Sequence, residues 1–362
     1  MKIILATGIY PPEIGGPATY VRQLAKELHG RGIDVTVIAY GNAPAADTAD
    51  GWPVVRVSRA GGQLVRWNRY AKALQAQARD ADIIEAFSSV SCGIPLVLAR
   101  LKKPKNILRL GGDFLWERYT DRGGRLPLRL FYRSYPVITH SIRWLLRSFD
   151  HIIFSTRFQN ELYQKTYRRL PPTSIIENAL PGSDVTAHER HDPFRLLYMG
   201  RFVRFKNLPL LIHAVSMLPH IRLTLAGEGP MAKKLALLVT KRGLGGRVTF
   251  LPSVHGEEKQ GLLLDHDLLV MPSITDISPH AAIEARAAGL PVLLTEETGL
   301  SHQLRDGMII RPLRSTADIT RAILEVEQGY ASFARSASAP FPQKRTWEML
   351  AEEHVGLFRS LL

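Results

Sequence analysis

A single cysteine, Cys92, occurs in 362 residues, which excludes an internal disulfide and any cysteine-built zinc cluster within one chain. Cys92 itself reads as a small buried residue. Long apolar runs are also missing. The richest stretch, Leu262 to Pro272, is broken by Asp265, His266 and Asp267, so no segment reaches the length of a membrane-spanning helix. The amino terminus, Met1 to Gly8, lacks the extended apolar stretch and cleavage site of a signal peptide and reads as a short strand entering a turn. The expectation is a cytoplasmic protein. No low-complexity tract and no fixed-period repeat is present, which argues against disorder and against a solenoid. Acid is the scarce charge: 33 Asp and Glu face 47 Lys and Arg, a net charge of +14. Such an excess calls for an acidic partner, and nucleic acid, anionic lipid and phosphorylated substrates all qualify.

What is present is ordinary globular composition, 45% apolar, in a chain long enough for two cores. Strand-like runs alternate with amphipathic helical stretches: Ile3 to Ala6, Ala18 to Leu28, Val35 to Ala39, and on through Ile83 to Ala86, Ile107 to Leu110, Ile152 to Ser155 and Ser174 to Ile176. This βαβ rhythm implies a parallel, doubly wound sheet. The stretch 179–194 carries Pro and Gly without pattern and reads as a linker. Beyond it the rhythm restarts with Arg195 to Met199, Arg222 to Ala226, Val248 to Leu251, Leu268 to Met271 and Val292 to Leu294. The predicted architecture is α/β: two Rossmann-like doubly wound domains, residues 1–183 and 184–345, with a cleft between them. The helical pattern in 346–362 completes the first.

The charge is unevenly spread. Residues 100–148 hold twelve Lys or Arg against Asp113, Glu117 and Asp121. There Arg125, Arg129, Arg133, Arg143 and Arg147 interleave with Leu, Phe, Tyr and Trp. That mixture suits a face lying on an anionic lipid surface, and equally a solvated basic surface whose apolar members are core. A nucleic-acid binder would spread its cations over aromatic base platforms, whereas these cluster at turns and on one segment. No nucleic-acid partner is expected.

Four turns carry chemistry. Gly15 and Gly16 precede a helix from about Ala18, where backbone amides and the helix start could meet a phosphate. Gly200 and Arg201 end a strand, and Lys206 follows five residues later, so two long cations leave one turn and could hold a diphosphate from both sides. Gly227, Glu228, Gly229 and Pro230 form a further strand-to-helix turn whose glycines would let a base or ribose lie against backbone. Asp276 and Glu284 flank the start of the helix that follows Pro279 and ends at Gly289. Carboxylates suit sugar hydroxyls as cations suit phosphate oxygens, so the set describes a pocket for a nucleotide sugar. The pairs Asp80/Asp82 and Asp265/Asp267 each simply precede an apolar strand, and no metal site is expected.

With Gly200-Arg201, Lys206-Asn207, Gly227-Glu228-Gly229-Pro230 and Asp276 spaced seven residues from Glu284-Ala285, the chain resembles the retaining GT-B glycosyltransferases of family 4, over nearly its whole length. The resemblance implies that Arg201 and Lys206 hold the donor diphosphate, Glu284 the ribose hydroxyls and Asp276 the transferred sugar. The stretch Ser278, Pro279, His280 and Ala281, through the backbone amides of its residues other than proline, would add to the diphosphate grip, and Gly15-Gly16 matches the loop that closes on the donor. Four departures stand out. Asp276 replaces the usual Glu, Ile277-Ser278-Pro279-His280 replaces a common Phe-Gly, and Asn178-Ala179 replaces Asn-Gly. In place of a first-domain histidine the chain has Gly111-Gly112-Asp113, where Asp113 either orients the acceptor hydroxyl or caps a helix.

The implied activity is metal-independent, retaining hexosyl transfer from a UDP-, GDP- or other NDP-sugar to a glycan or lipid-linked acceptor, with no cofactor beyond the donor substrate. The leaving-group charge would fall on Arg201, Lys206 and helix-end amides. A nucleotide-sugar epimerase of the same architecture, or a non-catalytic polyanion binder, are the alternatives.

Overall fold

A computed structural model describes all residues apart from positions 14, 42–45, 48, 49, 181, 183–187 and 344. Six of the sixteen positions of the linker read at 179–194, including the 183/184 domain boundary, lie outside the described residues. The chain forms two compact units: Met1–Phe114 with Tyr132–Ala179 and Arg345–Leu362, and Leu115–Phe131 with Leu180–Lys344. Segment 115–131, placed in the first domain by chain position, thus packs with the second. Leu128 N donates to Thr275 Oγ1 at 3.0 Å, and Trp116 lies 5.3 Å from Phe205, ring centroid to ring centroid.

The first unit holds β1 (Lys2–Thr7), β2 (Asp34–Tyr40), β3 (Ala46–Asp47), β4 (Val54–Val57), β5 (Ile83–Ala86), β6 (Lys105–Leu110), β7 (His151–Phe154) and β8 (Thr173–Ile175). Their order is β3-β4-β2-β1-β5-β6-β7-β8, and every pairing is parallel except β3 with β4. A parallel sheet is covered on both faces, which is why β1 past Lys2, β5 and β7 are buried throughout, Glu85 and His151 included. Helix Gly16–Gly30 buries Tyr20, Val21, Leu24, Ala25 and Leu28 at helical spacing. The carboxyl-terminal helix Trp347–Leu361 starts at Thr346, whose side chain accepts from Met349 N, and buries Leu350, Ala351, Val355 and Phe358 in the same core.

The second unit holds β9 (Phe194–Met199), β10 (Ile221–Ala226), β11 (Val248–Leu251), β12 (Leu268–Met271), β13 (Val292–Thr295) and β14 (Ile309–Arg311), in the order β11-β10-β9-β12-β13-β14, all parallel. Its core gathers Leu196, Leu197, Tyr198, Leu223, Leu225, Leu269, Val270, Leu293 and Leu294 from four adjacent strands.

Each sheet starts from an inner strand, grows to one side, then returns and grows to the other. The winding reverses between β1 and β5 in the first unit and between β9 and β12 in the second. Such a reversal sends the flanking connections to opposite faces and leaves a crevice at the carboxyl ends of the two strands, the usual ligand seat in open α/β sheets. Among the described residues no helix is long and apolar enough to cross a membrane.

Candidate functional site

The β9/β12 reversal collects most of the residues singled out from the sequence. β9 ends at Met199, and Gly200 turns the chain so that Arg201 emerges exposed. The turn Arg204–Lys206 follows, and Asn207, at φ 58, sets the start of helix Leu208–Ser216. Backbone hydrogen bonds lay the strand-end loops side by side: Gly200 N to Ala226 O (3.0 Å), Phe202 N to Glu228 O (2.7 Å), Ile274 N to Phe205 O (2.8 Å) and Asp276 N to Glu297 O (2.9 Å). Gly200, Arg201, Lys206, Glu228 and Asp276 therefore share one edge of the second sheet.

Lys206 and Asp276 are bonded directly. Nζ donates to Oδ2 at 2.6 Å, with the side chains 12% and 7% exposed, so the pair is largely dry. Ser273 Oγ donates to the same oxygen at 2.8 Å. The sequence separates Lys206 and Asp276 into a phosphate ligand and a sugar ligand; the fold makes each the partner of the other. Arg201 differs: among the described residues its guanidinium has no hydrogen-bond or ion-pair partner. Its carbonyl accepts from Tyr198 Oη at 3.0 Å. Burial pushes the Tyr198 phenol well above its usual range, the Asp276 charge adds to that and the Arg201 charge opposes it, so Tyr198 is a fixed neutral donor.

Helix His280–Ala287 begins after Pro279, four residues beyond Asp276, with Ser278, His280 and Ala281 half-buried around its first turn. Glu284 Oε1 accepts from Lys259 Nζ at 2.9 Å, both side chains under one-third exposed. Ser273, Tyr198 and Lys259 were not among the residues picked from the sequence. Ser273 could have been: a hydroxyl three residues before a functional carboxylate, just past an apolar strand, is well placed to orient it.

The glycines at 227 and 229 have a structural job that the sequence did not show. Gly227 sits at φ 144 and Gly229 at φ 152; a β-carbon at 227 would lie 2.0 Å from Gly200 O, and one at 229 would lie 2.6 Å from Phe202 O. In the direction of a β-carbon, each position is closed by the neighbouring loop. The glycines let the two turns touch.

In the first unit, Gly15 and Gly16 open helix Gly16–Gly30, with Pro17 in its first turn. Asp113 follows β6 and is 1% exposed; its Oδ2 accepts from Tyr132 Oη at 2.7 Å and Tyr163 Oη at 2.8 Å, and Tyr167 Oη donates on to Tyr132 Oη at 3.0 Å. Burial and the Asp113 charge push both phenols well above their usual range. Asp113 is thus the interior acceptor of a tyrosine cluster, an occupation that neither sequence reading contained. Asp82 and Asp267 are tied to backbone: Asp82 Oδ2 accepts Lys2 N at 2.9 Å, and Asp267 accepts His191 N at 2.8 Å and Arg195 N at 2.6 Å. In the basic stretch Leu128, Phe131, Leu145 and Leu146 are core, while Val137 (77%) and Trp144 (54%) are exposed.

The architecture of two doubly wound sheets is that of the GT-B glycosyltransferases. Over its full length the chain is similar to sucrose-phosphate synthase from Thermosynechococcus elongatus (TM-score 0.80, 20% identity, 100% of this chain and 99% of that one) and to Anabaena HepE in complex with UDP-glucose (TM-score 0.74, 19% identity, 99% and 100%). Residues 15–179 match the glycosyl transferase 4-like domain family and residues 185–337 match the glycosyl transferases group 1 family. A D-inositol 3-phosphate glycosyltransferase from Pseudarthrobacter chlorophenolicus is 25% identical, over 95% of this chain and 92% of that protein. The chain belongs to the family 4 glycosyltransferases of GT-B fold.

Proposed function

We propose that this glycosyltransferase moves a hexosyl group from a nucleoside-diphosphate sugar to a glycan or lipid-linked acceptor, with retention of anomeric configuration. The observation that carries the reading is the unpartnered Arg201 guanidinium on the same sheet edge as the Lys206–Asp276 pair: one free cation, one cation held in place and one fixed carboxylate, at the crevice where such sheets take nucleotides. HepE, of the same fold, has been crystallised with UDP-glucose. In the reaction the anomeric C–O bond to the diphosphate breaks, a C–O bond to the acceptor oxygen forms, and the acceptor's hydroxyl proton leaves with the departing diphosphate. Negative charge grows on that diphosphate. Arg201, Lys206 and the amides at Ser278, His280 and Ala281 meet it in the proposal, so no metal ion is needed for the charge. Asp276 accepts hydroxyls of the sugar and Glu284 those of the ribose, with Gly200 and Glu228 shaping the turn beside them. Gly15 and Gly16 supply amides to a phosphate. Asp113 holds the loop after β6 on the acceptor-binding unit. The exposed Val137 and Trp144, flanked by exposed Arg133 and Arg147, are proposed to rest on an anionic bilayer surface.

Ligands that bind the native state raise its melting temperature, so a thermal-shift panel of UDP-, GDP-, ADP- and TDP-sugars tests the donor class. One family of nucleotides should stabilise the protein and support transfer. A flat response across the panel, with no sugar moved, would end the reading.

A further inference from the structure

The first sheet has a crevice of its own. At the β1/β5 reversal lies a cavity of about 410 Å³, lined by Gly8 and Ile9 past β1, Phe87 and Ser88 past β5, and Arg66 and Trp67 from helix Gln63–Gln77. That volume falls in the lower part of the range of about 300–1,000 Å³ found for small-molecule sites, enough for one or two substituted rings. Its walls are aromatic. Trp67 and Phe87 are joined there by Tyr40 and Phe114, flat faces of the kind on which sugar and cyclitol rings stack.

The charges around the cavity do not cancel. Arg59 lines it too, but its guanidinium is spent: it bonds Glu13 through both terminal nitrogens and Gly8 O at 2.9 Å. Arg66 is half-buried and, among the described residues, its guanidinium has no hydrogen-bond or ion-pair partner. Among the described residues no carboxylate lines the cavity to answer it. A planar fork of donors on an aromatic-walled pocket selects a planar or tetrahedral oxyanion over a neutral hydroxyl.

We infer that the acceptor ring seated here carries an oxyanion, a phosphate or a carboxylate, and that Arg66 reads it. The word acceptor rests on the transferase reading above; the anion preference of the cavity does not. Glucose 6-phosphate, glucuronate and glucose, with inorganic phosphate as the bare-ion control, are titrated against the intact protein while Trp67 fluorescence is followed, and Trp67→Phe identifies its signal. At least one charged sugar should bind at least tenfold more tightly than glucose and than inorganic phosphate; which one does so separates phosphate from carboxylate. Arg66→Gln should erase the preference and Arg66→Lys should keep part of it, while donor-induced thermal shifts stay unchanged in both. Equal affinity for charged and neutral sugars, absence of binding by every charged member, or an undiminished preference in Arg66→Gln overturns the inference. A protein that binds charged sugars through Arg66 but responds to no nucleotide sugar would instead overturn the transferase reading and leave the anion site standing.

Discussion

The two sheets place their crevices at equivalent points of one topology and furnish them in opposite ways. At β9/β12 the wall is built of charge already paired, Lys206 with Asp276 and Lys259 with Glu284, next to one unpaired cation, Arg201. At β1/β5 the wall is built of rings around a cavity, with Arg66 as its uncompensated charge among the described residues. A fixed ion pair suits a ligand whose charge pattern never varies, and a diphosphate bearing a sugar is such a ligand. An aromatic hollow tuned by one cation suits a ligand whose ring and substituent differ from one family member to another. On the proposed function, the β9/β12 crevice takes the constant half of the reaction and the β1/β5 crevice the variable half.

The comparison breaks most readily at Lys206. Lys206→Ala should lower transfer about 10²–10³-fold, the loss seen when one preorganised donor to a developing oxyanion is removed. It should also destabilise the fold, because Asp276 keeps only Ser273 as a side-chain donor to its buried Oδ2. The double variant Lys206→Met with Asp276→Leu separates the two effects. Replacing a dry ion pair by apolar groups of similar size should restore the unfolding midpoint without restoring transfer. If activity returned with stability, the pair would be scaffolding rather than part of the site.

Gly229→Ala comes next. The new methyl would sit 2.6 Å from Phe202 O and 2.8 Å from Phe202 N, at a backbone angle that favours glycine. Strain and overlap together should cost about 3 kcal/mol in urea unfolding. Because the loops after β9 and β10 would be pushed apart, donor affinity should fall with it. Normal stability would mean that the loops separate freely, and a rigid wall at the ends of β9 and β10 would then be a wrong description.

The difference between legible and illegible parts follows from what each depends on. Strand and helix order could be read because continuous apolar runs such as Ile3–Ala6 and Leu268–Met271 and the helical spacing of Tyr20, Leu24 and Leu28 are local patterns. The placement of Arg201 and Asp276 after strands followed from the same rhythm. The Lys206–Asp276 bond did not, since it joins residues 70 positions apart through two loops whose alignment is set by backbone contacts. Gly227 and Gly229 were recognisable as turn glycines, but only the approach of Phe202 explains why side chains are barred. Arg66 and Trp67 carry no motif; they matter because helix Gln63–Gln77 lies beside the β1/β5 crevice.

Asp113→Asn sharpens the contrast from the first unit. Both phenols donate to one oxygen, Oδ2, so an amide carbonyl in its place can still accept from Tyr132 and Tyr163, but the two bonds lose their charge, at about 1 kcal/mol each. Stability by denaturant melt and transfer at saturating acceptor are both measured. A stability loss with kcat preserved makes Asp113 an anchor; a kcat loss far beyond the stability change would place it against the reacting hydroxyl.

The smallest expected effect concerns acid and the second sheet. His266 is 6% exposed, its Nδ1 2.7 Å from Leu262 O and its Nε2 2.8 Å from Thr224 Oγ1. The carbonyl can only accept, so Nδ1 carries the hydrogen and Nε2 takes the Thr224 proton, an arrangement open to the neutral ring alone. Burial, the largest influence, holds the imidazole below its usual value of about 6.5. The unfolded chain therefore binds the proton more readily than the folded one. The stabilisation is complete above about pH 7 and is lost as pH falls through the unfolded value. His266→Asn, whose side-chain amide can still donate but does not titrate, should flatten the pH dependence of unfolding between about pH 7 and 5.5 relative to the parent chain. An identical slope in both proteins would show that the imidazole takes up its proton at the same pH folded and unfolded, so that burial does not hold it neutral.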